Sequence, residues 1–120
     1  MKTNTIRQRT YSFSLNVIKL LEGIELKRVY YSLSDQVIRS ACSIGANIIE
    51  AHSSGSRREF LRYFQIALRS ANETKYWLGL LRDALEIKGD NISPLVDEAN
   101  QLANILAASI MTMKGKKRLK

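Results

Sequence analysis

One stretch of this sequence limits the possible folds more than any other, because its apolar side chains recur at steps of three and four residues over about 30 positions. The stretch follows Ser56 and Glu59, whose S-x-x-E spacing is typical of a helix start, and it ends before Gly89. Steps of three and four place side chains on one face of an α-helix, so the spacing predicts a long helix over residues 57–87. Its apolar row is Phe60, Phe64, Ala67, Ala71, Thr74, Leu78, Leu81 and Leu85.

Three further segments have the same spacing and are separated by polar, turn-prone residues. Ser32 is predicted to cap the second helix, and Ser93 followed by Pro94 favours the start of the fourth. Four helices with one apolar stripe each bury those stripes most simply as an all-α, antiparallel up-down-up-down four-helix bundle. The three further helices are predicted over about residues 5–26, 33–52 and 94–113.

The length and composition favour a single domain. With 120 residues and 45% apolar content, the chain can form one hydrophobic core and is too short for two. Six glycines and one proline provide too few turns for a fold of many short strands. We therefore expect one domain over residues 1–113, followed by a basic, disordered tail over residues 114–120, where the helical spacing stops.

Three features predict a soluble, cytoplasmic protein without a membrane partner. The single cysteine, Cys42, excludes an intramolecular disulfide and favours a reducing compartment. The first residues lack the apolar core of a signal peptide. No apolar run approaches the roughly 20 residues that a membrane-spanning helix needs.

The formal net charge of +8 is concentrated at the two ends of the chain. Residues 11–113 hold 11 basic and 11 acidic side chains, so the body is neutral on average. A flexible basic tail gains affinity for nucleic acid by releasing counterions, although a purely solubilising tail is an equal alternative. The tail candidates for nucleic-acid binding are Lys114, Lys116, Lys117, Arg118 and Lys120.

Three arginines on one polar stripe of the third predicted helix form a second candidate surface for phosphates. They are Arg58, Arg62 and Arg69. An ordinary solvated face is the favoured alternative, because helices normally place charges outward and no aromatic stacking residues are interleaved along this stripe.

Catalytic chemistry finds little support in the sequence. His52 is the only histidine, so a histidine-based metal cluster or a serine triad lacks partners, and we expect His52 to be a capping or surface residue. Cys42 is expected to be a buried, inert thiol. Neither an E-x-x-H pair nor a glycine-rich phosphate loop occurs. We therefore predict a protein without enzyme activity and without a cofactor.

A second row of residues lies beside the apolar row of the third helix, with large side chains at its ends and polar ones in its middle. In one interpretation the row borders the core of its own bundle. In the other it is a subunit interface, because protein contacts use aromatic anchors around satisfied polar groups. The row comprises Tyr63, Ile66, Ser70, Glu73, Trp77 and Leu80.

Three motifs in register carry a family resemblance: SIGANIIEA at 43–51, SRREF at 56–60 and IALRSANETKYWL at 66–78. Together they resemble the bacterial four-helix-bundle family encoded within intervening sequences of large-subunit ribosomal RNA genes, over about residues 5–112. The resemblance implies an antiparallel four-helix bundle that assembles into homopentamers. It also implies a relationship to the accessory variability protein of diversity-generating retroelements, which binds nucleic acid. It implies no catalytic residue.

The motif residues suggest that polar side chains of the second and third helices meet. We hypothesise a hydrogen-bonded cluster with two aromatic residues packed beside it, because a buried carboxylate costs several kcal/mol unless hydrogen bonds compensate it. The members would be Asn47, Glu50, Ser70 and Glu73, with Tyr63 and Trp77 as the aromatic neighbours.

The sequence thus predicts a non-enzymatic, homo-oligomeric helical bundle that binds nucleic acid through basic surfaces. The partner would be RNA or a nucleic-acid-processing complex. The alternative is a protein-interaction or structural oligomer with no nucleic-acid role.

Overall fold

The computed structural model describes residues 5–87 and 89–119, with side-chain positions described up to residue 115. Four α-helices account for most of this part of the chain, and it contains no strand. A single 3₁₀ turn, Arg28–Tyr30, precedes the second helix. The helices are α1 (Ile6–Glu22), α2 (Tyr31–Ser53), α3 (Arg57–Leu85) and α4 (Gly89–Leu119).

Consecutive helices pack against each other, and α4 closes the bundle against α1. Neighbouring helices are antiparallel: Ser43 contacts Ser70, whereas Ser40, one turn earlier on α2, contacts Thr74, one turn later on α3. The predicted all-α four-helix bundle is therefore confirmed. None of the described helices combines the length and the apolar character needed to cross a membrane.

The core consists of one buried row from each helix, as the spacing predicts. The side chains of Val37, Ile44 and Ile48 on α2 are fully buried, and each such side chain stabilises the fold by about 1.5–3 kcal/mol. The α1 and α4 rows close the core from the other side. The largest fully buried side chains of these two rows are Phe13, Val17, Ile92, Leu102 and Leu106.

The start of α3 has the predicted cap. Ser56 Oγ accepts a hydrogen bond from the backbone N–H of Glu59 at 3.1 Å. The Glu59 carboxylate in turn accepts from the backbone N–H of Gly55 at 3.2 Å. Backbone donors that a helix start leaves unpaired are thereby satisfied, which fixes where α3 begins.

Two predicted helix starts are wrong. The 3₁₀ turn leads directly into α2, so its N-cap residue is Tyr30, without a capping side chain, rather than Ser32. Helix α4 begins at Gly89 and includes Pro94, which was expected at its first position. The earlier start buries Ile92 completely, and this burial exceeds the roughly 1 kcal/mol that a cap contributes.

Three predicted helix ends also differ from the structure. Helix α1 ends at Glu22 and is capped by Gly23, whereas α3 ends at Leu85 and is capped by Glu86, which adopts the left-handed conformation with φ of 52°. Helix α4 continues through residues 114–119, which were expected to be disordered. Lysine, arginine and leucine are good helix formers, so a segment without an apolar period can still extend an existing helix. Lys120 lies outside the described residues.

Candidate nucleic-acid interface

A seam of hydroxyl and amide groups lies between α2 and α3, and we name it the α2–α3 polar seam. Ser70 Oγ donates to Ser43 Oγ at 2.9 Å, and Asn47 Nδ2 donates to the Ser43 carbonyl at 2.8 Å and to its Oγ at 3.0 Å. The Thr74 hydroxyl donates to the Ser70 carbonyl at 2.6 Å and lies 3.0 Å from Ser40 Oγ. No buried polar side-chain atom of the described residues lacks a partner.

The seam contains only part of the hypothesised polar cluster. Asn47 and Ser70 meet through Ser43, but the side chains of Glu50 and Glu73 are exposed. The Glu73 carboxylate accepts a hydrogen bond from Trp77 Nε1 at 3.2 Å, one turn along the same helix. Hydroxyl and amide groups can satisfy one another at a tight helix crossing, whereas a carboxylate there would need compensating donors.

The second row of α3 borders the core along the junction with α2. Tyr63 and Trp77 are half-buried and pack against the core, and Ser70 is buried. Tyr76 is exposed and packs edge-on against Trp77 with ring centroids 5.1 Å apart. The structure thus favours the core-border interpretation for Tyr63 and Trp77, while a subunit contact at this row stays a prediction.

Exposed cations gather where α3 begins and α4 ends, and we name this region the basic end. It comprises Arg57, Arg58, Arg62 and Lys114, all with exposed side chains. Arg57 Nη2 donates to the carbonyl of Met113 at 3.2 Å, which ties the first turn of α3 to α4. The antiparallel packing therefore unites cations that are more than 50 residues apart in sequence.

The remaining candidate cations lie elsewhere or are not described at the side-chain level. Arg69 is exposed on α3, seven residues or about 10 Å beyond Arg62. Residues 116–118 belong to the last turns of α4, beyond Met113. The candidates of which no side-chain position is described are Lys116, Lys117, Arg118 and Lys120.

Several arginines outside the basic end are neutralised by carboxylates. Arg9 and Glu98 approach to 2.6 Å, and this hydrogen bond raises the pKa of Arg9. The hydrogen bond from Arg82 lowers the pKa of the exposed Asp83, and Arg39 pairs in the same way with a carboxylate of its own helix. Within the described residues, no cation of the basic end takes part in an ion pair.

An exposed apolar groove between α1 and α2 was not predicted from the sequence, and we name it the α1–α2 groove. Its volume is about 340 Å³. Its apolar lining includes Tyr11, Leu15, Ile18 and Ile49, and Tyr11 is 73% exposed. Tyr11, Leu15 and Ile18 recur at steps of four and three residues, so helical spacing contains the signal of this second apolar stripe on α1. Cys42 also lines the groove and is half-buried rather than fully buried.

His52 is exposed near the end of α2, and its Nδ1 lies 3.0 Å from the carbonyl of Ile48. This placement agrees with the predicted surface role. Among the described residues, no group of three or more histidine, cysteine or acidic side chains is placed to hold a metal ion.

Residues 2–108 match the family described as 23S rRNA-intervening sequence protein. The chain belongs to this family. A crystal structure of a protein of unknown function from the S23 ribosomal protein family of Bacteroides thetaiotaomicron is similar in fold, with a TM-score of 0.81. The two sequences are 30% identical, and the similarity covers 88% of this chain and 98% of that chain. No curated protein matches the chain.

Membership of the intervening-sequence protein family confirms the predicted resemblance. The matched residues include the whole α2–α3 polar seam and the three arginines of the basic end. Lys114 and the segment after it lie beyond the match. Within this intervening-sequence protein, the α3 cations therefore belong to the family domain, whereas the α4 cations extend past it.

Proposed function

We propose that this protein is a non-enzymatic homo-oligomer that binds nucleic acid, as RNA or within a nucleic-acid-processing complex, through the basic end of its bundle. The observation that carries the proposal is the set of exposed cations where α3 begins and α4 ends, none of which forms an ion pair with another described residue. Cations that replace condensed counterions on phosphates gain affinity for any nucleic-acid sequence.

The chemistry of the basic end favours binding over catalysis. Guanidinium and ammonium groups carry hydrogen-bond donors and no acceptor, so they suit the binding of phosphate oxygens. The net charge of +8 comes from residues 1–10 and 114–120, and Lys114 of the second segment lies at the basic end. A polyanion would therefore be attracted to the end of the bundle where α3 begins and α4 ends.

The test is a salt titration of binding to mixed-sequence RNA and DNA, with two matched double variants. Arg58→Ala with Arg62→Ala should weaken binding and reduce the slope of log K against log salt by about 1.8, because two phosphate contacts are lost. Lys27→Ala with Arg28→Ala removes two exposed cations at the opposite end and should leave the slope unchanged. Removal of residues 114–120 should weaken binding further. Absence of binding by the unmodified protein at low salt would refute the proposal.

The α1–α2 groove favours the second candidate function, a protein-interaction or structural oligomer without a nucleic-acid role. Contiguous exposed apolar side chains mark sites of association. We propose a second copy of this chain as the occupant. The exposed face of α1 carries Arg7 near one end and Glu22 at the other, so a copy of the same face offers an opposite charge as well as apolar surface.

Light scattering tests the oligomer separately from nucleic-acid binding. We expect the unmodified protein to have the mass of several copies, and the family resemblance implies five. Tyr11→Ser with Leu15→Ser should lower that mass while the circular dichroism stays helical. Met111→Ser is the control, because Met111 is 70% exposed on α4 and lies away from the groove. An oligomer that binds no nucleic acid would favour this second function, and a protein that is monomeric at high concentration would refute it.

A further inference from the structure

An open apolar pocket lies at the junction of α3 and α4, next to the basic end, and we name it the α3–α4 pocket. Its volume is about 510 Å³. Phe60 and Phe64 form its α3 wall, and their rings are stacked with centroids 4.7 Å apart. The α4 wall consists of Ile105, Ala108, Ser109, Thr112 and Met113. We infer that this pocket takes an unpaired base of a nucleic-acid strand whose phosphates lie on the basic end.

Short side chains on α4 leave the pocket open. Ala108 and Thr112 are exposed, and Phe60 on the facing wall is only half-buried. A longer side chain at Ala108 or Thr112 would extend into the space in front of the rings. The packing of α3 against α4 therefore leaves aromatic surface accessible at the junction.

Arg57 lies at the rim of the pocket. Its Nη2 donates to the carbonyl of Met113 at 3.2 Å, and Met113 lines the pocket. Arg57 and Phe60 are three residues apart, so they share one face of α3. A guanidinium has five N–H donors, so this contact leaves others for phosphate oxygens. A cation and an aromatic ring thus lie within one helical turn of each other.

The inference rests on the proposed function and names its ligand class, a strand with free bases. Proteins that bind such strands hold the backbone with cations and stack the bases on aromatic rings. The hydroxyl groups of Ser109 and Thr112 can donate and accept hydrogen bonds, which suits the polar edge of a base. The bases of a duplex are already paired and stacked, and they would have to flip out to reach the pocket.

Two other occupants suit the pocket less well than a base. Small-molecule sites bury about 70–90% of the ligand surface, whereas this pocket is open and covers one side of a ligand. A second copy that docked through the same face would bring its own basic end against this one, and the like charges would oppose the contact. A base can stack through a single face, and its phosphate is attracted by the same cations.

The test measures the binding of two single strands of 20 nucleotides by fluorescence anisotropy with the full-length protein, in RNA and DNA arms across a salt series. One strand has normal bases, and the other has the same phosphates with abasic sugars. We expect Phe60→Leu to weaken binding of the normal strand by about fivefold or more, because it removes a stacking surface. The abasic strand should bind the variant and the unmodified protein equally. The salt dependence should also be unchanged, because no phosphate contact is lost.

Ala108→Leu is a second variant, and it leaves both aromatic rings in place. The leucine fills the pocket from the α4 side, so it should weaken binding of the normal strand and leave the abasic strand unaffected. Tyr76→Leu and Ala84→Leu are the matched controls. Both positions are exposed on α3, about 24 Å and 36 Å beyond Phe60, so these variants should bind both strands like the unmodified protein.

Three results would overturn the inference while leaving the proposed function intact. Equal losses for the normal and abasic strands would show that the substitutions disturb the cations and not a base site. Unchanged binding of the normal strand by both pocket variants, with helical circular dichroism, would show that no base enters the pocket. A lower mass of either variant in light scattering would assign the pocket to a contact between copies. Failure of the unmodified protein to bind either strand at low salt would instead remove the proposed function.

Discussion

Replacing Thr74 by valine tests whether the α2–α3 polar seam stabilises the fold. The Thr74 side chain is fully buried, and its hydroxyl contacts the Ser70 carbonyl and the Ser40 hydroxyl. Valine keeps the volume but removes both contacts, and each net hydrogen bond is worth about 0.5–1.5 kcal/mol. Ser40 would keep only its 3.3 Å contact to the Val37 carbonyl. We therefore expect the free energy of unfolding to fall by about 1–3 kcal/mol.

Urea denaturation followed by circular dichroism measures this change, with Thr74→Ser as the matched control. Serine keeps the hydroxyl and loses one methyl group, so it should cost about 1 kcal/mol through packing alone. The slope of the free energy of unfolding against urea concentration should be the same for the unmodified protein and both variants. Measurements at several protein concentrations separate folding from assembly. A valine variant as stable as the unmodified protein would show that the seam contributes no net stability and would refute this reasoning.

Two further substitutions test local backbone geometry by thermal melting. Glu86→Gly should raise the free energy of unfolding by about 0.5–1 kcal/mol, because Glu86 caps the end of α3 with a φ of 52°, which glycine adopts without strain. An unchanged or lower melting temperature would contradict this prediction. Gly45→Leu should lower the free energy of unfolding by about 2 kcal/mol or more, because even the first carbon of a side chain would lie 3.2 Å from Thr10 Oγ1. A variant of unchanged stability would mean that α1 can move away from α2 at little cost in free energy.

The helices and their buried rows could be predicted because helical spacing is a local property. The row Val37, Ala41, Ile44 and Ile48 is fully buried as predicted. The start of α4 could not be predicted, because it depends on the burial of Ile92 against other helices and not on the nearby cap signals. A helix cap contributes about 1 kcal/mol, which is less than the roughly 1.5–3 kcal/mol from burying a large apolar side chain.

The polar cluster was predicted in part for a related reason. Spacing places Ser70 and Glu73 in one row, but it does not specify how far each helix is rotated against its neighbour. In the structure, Ser70 faces Ser43 and Glu73 points to solvent, with Trp77 as its hydrogen-bond partner. The small difference in direction between these two side chains decides which of them joins the seam.

The sequence alone determined the helix-forming periods, the neutral body, the charged ends and the family motifs, because each of these is a property of neighbouring residues. Only the tertiary structure decided which surfaces meet. It placed Arg57 against the carbonyl of Met113, the residue before Lys114, and it left Tyr11 and Ile49 exposed in the α1–α2 groove. The physical reason is that helix rotation and pairing are set by packing between residues distant in sequence.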